Sequence, residues 1–256
     1  MPTNKSLGQH WLTDRTILGD IADAADITSD DTVLEIGPGL GTLTSELLRR
    51  AMRIIAVEFD GELARKLPGQ FPGKDLTVIH EDILRFDLTS LPAGYKVVAN
   101  VPYYITSKIV QLLMTATNKP SIAVLLVQKE VAERLAAKAG DMSILAVSAQ
   151  IYAEVTLGVK VGRDFFTPAP KVDSQVVILR TRTTPLVPVE DERALFRVVK
   201  AGFSSKRKKL RSSIAAGLAT SKPQAEELLR HANIDPELRA EDLSIEQWLR
   251  LAKDAV

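Results

Sequence analysis

The chain has 256 residues, 45% hydrophobic and 25% charged, with a net charge of +1, which fits a globular protein of one large domain or a large and a small one. It has no cysteine, so disulfides, thiolate nucleophiles and cysteine-held metal clusters are excluded. His10, His80 and His231 have no ligand spacing, Met1–Leu12 has no apolar leader and no apolar run approaches a membrane span, so no metal and no membrane segment are expected and the expected location is cytoplasmic.

Residues 14–25 carry apolar positions at Ile17, Leu18, Ile21 and Ala22, a helical period opened by Asp14 as N-cap. Thr32–Ile36 predicts a strand running into glycines, Thr42–Arg50 a helix, Arg53–Val57 a strand ending on Glu58, and Asp60–Lys66 a short helix. Leu76–Ile79 reads as a strand with Glu81 and Asp82 just beyond it, and Lys96–Ala99 as a strand that stops on Asn100. Ile105–Met114 reads as a helix, Ile122–Val127 as a strand, and Glu130–Ala137 and Ser143–Gln150 as helices. Strands and helices alternate, and the strands are apolar throughout, so both sheet faces are covered. That pattern is an α/β, doubly wound, mostly parallel sheet. The alternation then stops: Tyr152–Val161 and Val172–Leu179 read as an antiparallel pair at the sheet's edge. Thr181–Pro188 reads as a linker, and helices follow over 190–203, 209–218, 223–231 and 244–252. The expected division is a domain over 1–182 and a small helical domain over 188–256.

The stretch V-L-E-I-G-P-G-L-G-T-L-T at 33–44 places Gly37, Gly39 and Gly41 between a strand and a helix. Such a loop lets backbone approach a ligand, although a glycine loop by itself can be only a tight turn. Glu58 closes the next strand, 21 residues after Gly37, placed to accept from both hydroxyls of a ribose. Asp82, beyond the third strand, is placed to accept from the exocyclic amine of adenine. Together they indicate an adenosine-containing cofactor without separating NAD from S-adenosylmethionine. The spacing is G-x-G-x-G, not the dinucleotide G-x-G-x-x-G; a helix N-terminus that need not hold a pyrophosphate is under less demand for glycine at the last position.

Asn100-Val101-Pro102-Tyr103 follows the fourth strand and faces the same crevice. Asn-x-Pro alone is usually a turn. Here an amide oxygen and a nearby backbone carbonyl can both accept from an exocyclic amine, Pro102 fixes the backbone, and Tyr103 offers a ring for a base to stack on. Two acceptors out of the ring plane favour a pyramidal nitrogen whose lone pair meets a methyl donor, which is catalysis by orientation and electrostatics.

Five segments carry a family resemblance: Lys5-Ser6-Leu7-Gly8-Gln9-His10-Trp11-Leu12, Glu35-Ile36-Gly37-Pro38-Gly39-Leu40-Gly41, Asn100-Val101-Pro102-Tyr103, the run from Phe166 through Pro168, Pro170, Lys171 and Asp173 to Ser174, and the basic run Phe203–Leu210. Over nearly its whole length the chain resembles the bacterial ribosomal RNA adenine dimethyltransferases of the KsgA type. The resemblance implies a class I, Rossmann-like methyltransferase fold with a small helical C-terminal domain. It also implies transfer of four methyl groups from S-adenosylmethionine, without a metal, to two adjacent adenines in the 3′-terminal hairpin of 16S rRNA. Immature 30S subunits would be the partner, and the chain is expected to be a monomer. Carried over by motif, His10, Leu12, Gly37, Gly39, Glu58, Asp82 and Asn100 would contact the cofactor. Asn100, Tyr103 and Phe166 would be catalytic, Tyr103 and Phe166 enclosing the target adenine. The chain departs from the family's usual residues in having His10 for Asn, Trp11 for Phe and Val101 for Leu.

Charge is unevenly spread. Residues 1–180 hold 19 basic and 21 acidic residues, whereas Arg193–Ala225 holds nine basic and no acidic ones. Such a run is often only a solvated face, but its length without an acid suggests a polyanion. Lys206, Arg207, Lys208, Lys209 and Arg211 are its centre and the expected RNA contacts. Three other functions are weighed. An NAD-dependent oxidoreductase would leave Asn100–Tyr103 and the basic run idle. A non-catalytic ribosome assembly factor would not need the cofactor positions. A large-subunit rRNA adenine methyltransferase shares the fold and chemistry, but Pro38 and the length of the C-terminal domain favour the small-subunit enzyme. Phe165 and Tyr104 are expected to be structural, Trp248 a core residue of the small domain, and Lys171 with Asp173 either a loop-fixing pair or RNA contacts.

Overall fold

The computed structural model describes residues 10–205 and 207–255. Lys5 to Gln9 of the N-terminal motif and Lys206 of the basic cluster lie outside the described residues. The chain packs as two compact units. One runs to Glu133 and resumes over Ala153–Thr181; the other joins Arg134–Tyr152 to the residues from Arg182 onward.

In chain order the elements begin β1 (Trp11–Leu12), α1 (Arg15–Asp23), β2 (Thr32–Ile36), α2 (Thr42–Leu47), β3 (Arg53–Glu58), α3 (Gly61–Lys66) and β4 (Leu76–His80). They continue with β5 (Lys96–Asn100), α4 (Thr106–Thr115), β6 (Ile122–Gln128), α5 (Lys129–Leu135), α6 (Ile144–Gln150), β7 (Ala153–Val161), β8 (Phe166–Thr167) and β9 (Ser174–Thr181). The expected caps form: Asp14 accepts from the Ile17 amide at 3.0 Å and Asp60 from the Glu62 amide at 2.9 Å, each satisfying a first-turn donor that the helix leaves open.

Seven strands form one sheet in the order β4-β3-β2-β5-β6-β9-β7. Pairing from β4 to β6 is parallel, and β9 runs antiparallel to both β6 and β7. Ile122–Val127 are all buried, as a strand covered on both faces requires. Leu18, Ile21 and Ala22 of α1 join Leu43 and Leu47 of α2, with Val33, Ile54 and Val98 from the sheet, in one apolar cluster. The strand order reverses between β2 and β5. In an open α/β sheet the crevice for a ligand lies there, beyond the carboxyl ends of the strands.

The second unit contains α6, α7 (Glu192–Phe203), α8 (Leu210–Gly217), α9 (Lys222–His231) and α10 (Ile245–Asp254). Trp248 is fully buried at its centre and stacks on Phe203 with ring centroids 5.5 Å apart. Gly202 makes room for the indole: a Cβ there would meet the Trp248 ring at 2.4 Å. Residues 134–152, read from sequence with the preceding sheet, pack here instead. Gln150 Nε2 donates to the carbonyls of Leu135 and Ala137 at 2.8 Å, and the Gly140 and Met142 amides both donate to the Glu241 carbonyl. Ser221 with Gln224 and Ser244 with Gln247 form capping boxes that fix the starts of α9 and α10.

Candidate active site

The glycine loop leaves β2 with Gly37, Gly39 and Gly41 all in the left-handed region, at φ +66°, +57° and +80°. A side chain at Gly39 would also collide, since its Cβ would lie 2.3 Å from the Trp11 ring. The loop is pinned from β3: the Gly39 amide donates to Glu58 Oε2 at 3.0 Å, and the Asp60 amide donates to Oε1 at 2.8 Å. Glu58 is 6% exposed, and burial, opposed by these amides, holds its pKa above the ordinary value. Glu58 therefore both fixes the loop and presents a carboxylate at the crevice.

One cavity at the carboxyl ends of β2, β3 and β5 is lined by every residue expected at the cofactor: His10, Leu12, Gly37, Gly39, Glu58, Asp82 and Asn100. Tyr103 lines it too. Leu12 is buried, and its carbonyl accepts from Thr42 Oγ1 at 2.9 Å, tying β1 to the start of α2. Asp82 is half-buried, its carboxylate accepting from the Leu84 amide at 3.0 Å. Asn100 Nδ2 donates to the His10 carbonyl at 3.3 Å. His10 Nδ1 donates to the Pro168 carbonyl at 2.7 Å, and its imidazole stacks on Tyr103 at 5.7 Å and 24°. Tyr103 is half-buried, and desolvation keeps its phenol protonated above the usual range.

Phe166 departs from the expectation. It does not line the cavity; it is 4% exposed and packs in the apolar cluster with Leu12 and Leu18. The cause is the pairing of β8 with β1, which sets Phe166 opposite Leu12. Its neighbour Phe165, expected to be structural, is 49% exposed. Tyr104, also read as structural, is 65% exposed at the cavity's edge. Asp173 accepts from the Arg163 amide at 3.0 Å, and no ion pair with Lys171 occurs among the described residues.

Glu35 is the cavity residue that sequence reading missed. It sits inside β2, fully buried, with no close hydrogen bond to its carboxylate oxygens and only Thr44 beside them as a weak donor. Burial pushes its pKa up to about 8, with the Glu58 charge adding to the rise and the nearby Thr44 holding it back. An acid in the middle of an otherwise apolar strand was the available signal.

In the basic cluster, Arg207 and Lys208 are exposed and have no ion pair among the described residues. Lys209 and Arg211 are paired: Lys209 Nζ contacts Glu237, and Arg211 reaches Glu237 at 2.7 Å and Glu226 at 3.6 Å. No group of three His, Cys, Asp or Glu side chains able to hold a metal occurs among the described residues, nor does a helix long and apolar enough to cross a membrane.

A family model described as ribosomal RNA adenine dimethylase matches residues 2–255. The chain is 42% identical over 255 residues to the ribosomal RNA small subunit methyltransferase A of Dehalococcoides mccartyi (strain CBDB1), covering 98% of this chain and 88% of that protein. In structure it is similar to a dimethyladenosine transferase from Plasmodium falciparum, with a TM-score of 0.81 and 29% identity over 94% of this chain and 96% of the other. It is also similar to the 23S rRNA methyltransferase ErmE, with a TM-score of 0.80 and 31% identity over 96% and 99% of the two chains. With its mostly parallel sheet, its glycine loop and its Asn100–Tyr103 corner in one cavity, the chain belongs to the ribosomal RNA adenine dimethylase family of methyltransferases.

Proposed function

We propose that the chain transfers methyl groups from S-adenosylmethionine to N6 of two adjacent adenines, two to each, in the 3′-terminal hairpin of 16S rRNA. It would act on immature 30S subunits, as a monomer, in the cytoplasm. The observation that carries this reading is that Asn100–Tyr103, the glycine loop and Glu58 line one cavity at the point where the strand order reverses.

The cavity's chemistry fits the donor. Glu35 is a buried carboxyl raised to about 8, whose ionised form a positively charged ligand would favour, and Glu58 offers acceptor oxygens for a diol. Gly37, Gly39, Leu12, His10 and Asp82 would complete its contacts. When bound, S-adenosylmethionine supplies an electrophilic methyl group. The chain's own part is orientation. Asn100 uses its amide N–H toward His10, so its Oδ1 and the Val101 carbonyl are the acceptors for the adenine amine. They hold the nitrogen with its lone pair toward the methyl carbon, which asks for no strong base. Tyr103 gives the base its stacking surface; His10 covers one face of that ring, which leaves the opposite face to the base. Phe166 would close over the base only by leaving its core position, so Tyr103 carries the stacking here. The helices of 188–256 would hold RNA through Lys206, Arg207, Lys208, Lys209 and Arg211.

Methylation of 23S rRNA is the second reading, supported by the likeness to ErmE. The test is transfer from labelled S-adenosylmethionine to immature small subunits and, separately, to large-subunit RNA. Label on two adjacent adenines of 16S rRNA is expected; label on 23S rRNA alone would replace the first reading with the second. Asn100→Ala is expected to bind RNA normally and to transfer on the order of 10²–10³ times more slowly, the usual cost of losing one preorganised hydrogen-bonding group. An unchanged single-turnover rate would reduce Asn100 to a turn residue.

A further inference from the structure

Tyr103 carries its ring on a short turn, with His10 stacked on one face. It opens a single 3₁₀ turn, Tyr103–Ile105, between β5 and α4. The first side-chain torsion swings the hydroxyl tip of a tyrosine unless a bond holds that tip in place. Here its hydroxyl lies 2.7 Å from Ser174 Oγ.

Ser174 is firmly mounted. It is fully buried, opens β9, and has strand partners on both sides, Gln128 of β6 and Val161 of β7. Asp173 before it is held twice: its carbonyl accepts from the Lys129 amide at 3.0 Å, and its carboxylate accepts from the Arg163 amide at 3.0 Å. The hydroxyl that meets Tyr103 therefore belongs to the inside of the sheet. A buried hydroxyl needs a partner, and the phenol supplies it.

We infer that Ser174 is a positioning residue for methyl transfer: its hydroxyl, bonded to that of Tyr103, fixes where the tip of the ring lies on which the target base stacks. This rests on the reading of Tyr103 as the stacking surface. The pair joins the corner after β5 to the start of β9, 71 positions apart. A base stacked on that ring takes its position from it, and placement of the reacting nitrogen governs the rate.

The test compares Ser174→Ala, Tyr103→Phe, the double variant and Tyr103→Ala. The first readout is single-turnover methyl transfer at saturating S-adenosylmethionine and RNA. The second is S-adenosylmethionine affinity, and the third is fluorescence of an RNA hairpin carrying 2-aminopurine at the target adenine. Ser174→Ala and Tyr103→Phe are each expected to slow transfer about 2- to 12-fold, the worth of one neutral hydrogen bond. The double variant should be no slower than either single one, cofactor affinity should hold, and the probe's quenching should weaken in all three. Tyr103→Ala should be slower still. If Tyr103→Ala transfers normally, the stacking reading fails and takes this inference with it. If Tyr103→Ala is slow while Ser174→Ala and Tyr103→Phe match the wild type, stacking stands and the role of Ser174 is overturned. Losses that multiply in the double variant also overturn it. Should Ser174→Ala not fold, Tyr103→Phe breaks the same bond from the other side, and a wild-type rate there refutes the inference.

Discussion

Replacing Glu35 by glutamine gives a direct measure of what the unpaired acid does to the fold. Its carboxyl is fully buried and raised from 4.5 to about 8. The sign follows from linkage: a group whose folded pKa lies above its unfolded one binds protons more tightly in the folded state. Its stabilising effect is complete below the unfolded value and is lost as pH climbs through the folded one. Each pH unit between 4.5 and about 8 therefore removes about 1.4 kcal/mol. From pH 5 to pH 7 the loss comes to about 3 kcal/mol, a large share of the roughly 5–15 kcal/mol that holds a typical domain folded. Glu35→Gln cannot ionise and should lack this slope. Its buried amide keeps a cost of its own, so the informative quantity is the difference in pH dependence, not stability at one pH. Glu58 is also raised, and its charge acts on Glu35, so the difference in slope belongs to the coupled pair. The assay is urea unfolding by circular dichroism across pH 5 to 8, with the wild type expected to lose more. Parallel curves would mean that folding does not raise the pKa of Glu35, and the reading of it as a buried acid that keeps its proton near neutral pH would fall.

Glu58→Ala should weaken S-adenosylmethionine binding by about 1.5–3 kcal/mol, the range for hydrogen bonds to a charged group; equilibrium dialysis of the folded variant showing unchanged affinity would remove Glu58 from the site. Arg207→Gln and Lys208→Gln should each lower the log–log salt slope of RNA binding by about 0.7–0.9, whereas Lys209→Gln and Arg211→Gln should change it less because Glu237, with Glu226 at Arg211, already offsets part of their charge. Equal effects at all four positions would show that the ion pairs with Glu237 open when RNA binds. Gly39→Ala should destabilise the first unit by about 1–3 kcal/mol, because alanine resists a φ of +57° and its methyl meets Trp11; an unshifted thermal transition would mean that the loop and Trp11 move apart without cost.

The sheet could be read locally because both of its signals are local. Apolar runs such as Ile122–Val127 are strands covered on both faces, and the intervening helical periods force parallel crossovers. The ends of β2, β3 and β5 then fix where Gly37, Glu58 and Asn100 converge, because parallel strands bring their carboxyl ends to one edge. The placement of residues 134–152 was not local. Their helix, α6, has the same pattern as the helices of the first unit, and its packing on α7 depends on contacts with residues from 182 onward.

The aromatic wall is set at long range for a related reason. Phe165 and Phe166 are neighbours of identical chemistry, and the motif favours the second. Which ring turns inward depends on β8 finding β1, a pairing of Phe166 with Leu12 across 154 positions that no window around either residue contains. Once β8 pairs, Phe166 joins Leu12 in the core and Phe165 is left outside. The same long-range closure brings Pro168 to His10 and so holds the imidazole against Tyr103. Ser174 lies on the far side of that loop and reaches the Tyr103 hydroxyl. A ring that meets His10 at its face and Ser174 at its hydroxyl is set by three separated segments of the chain. The segments that carry the acceptors and the cofactor loop need only the parallel sheet; the surface that orients the base also needs the strand pairs that close behind it.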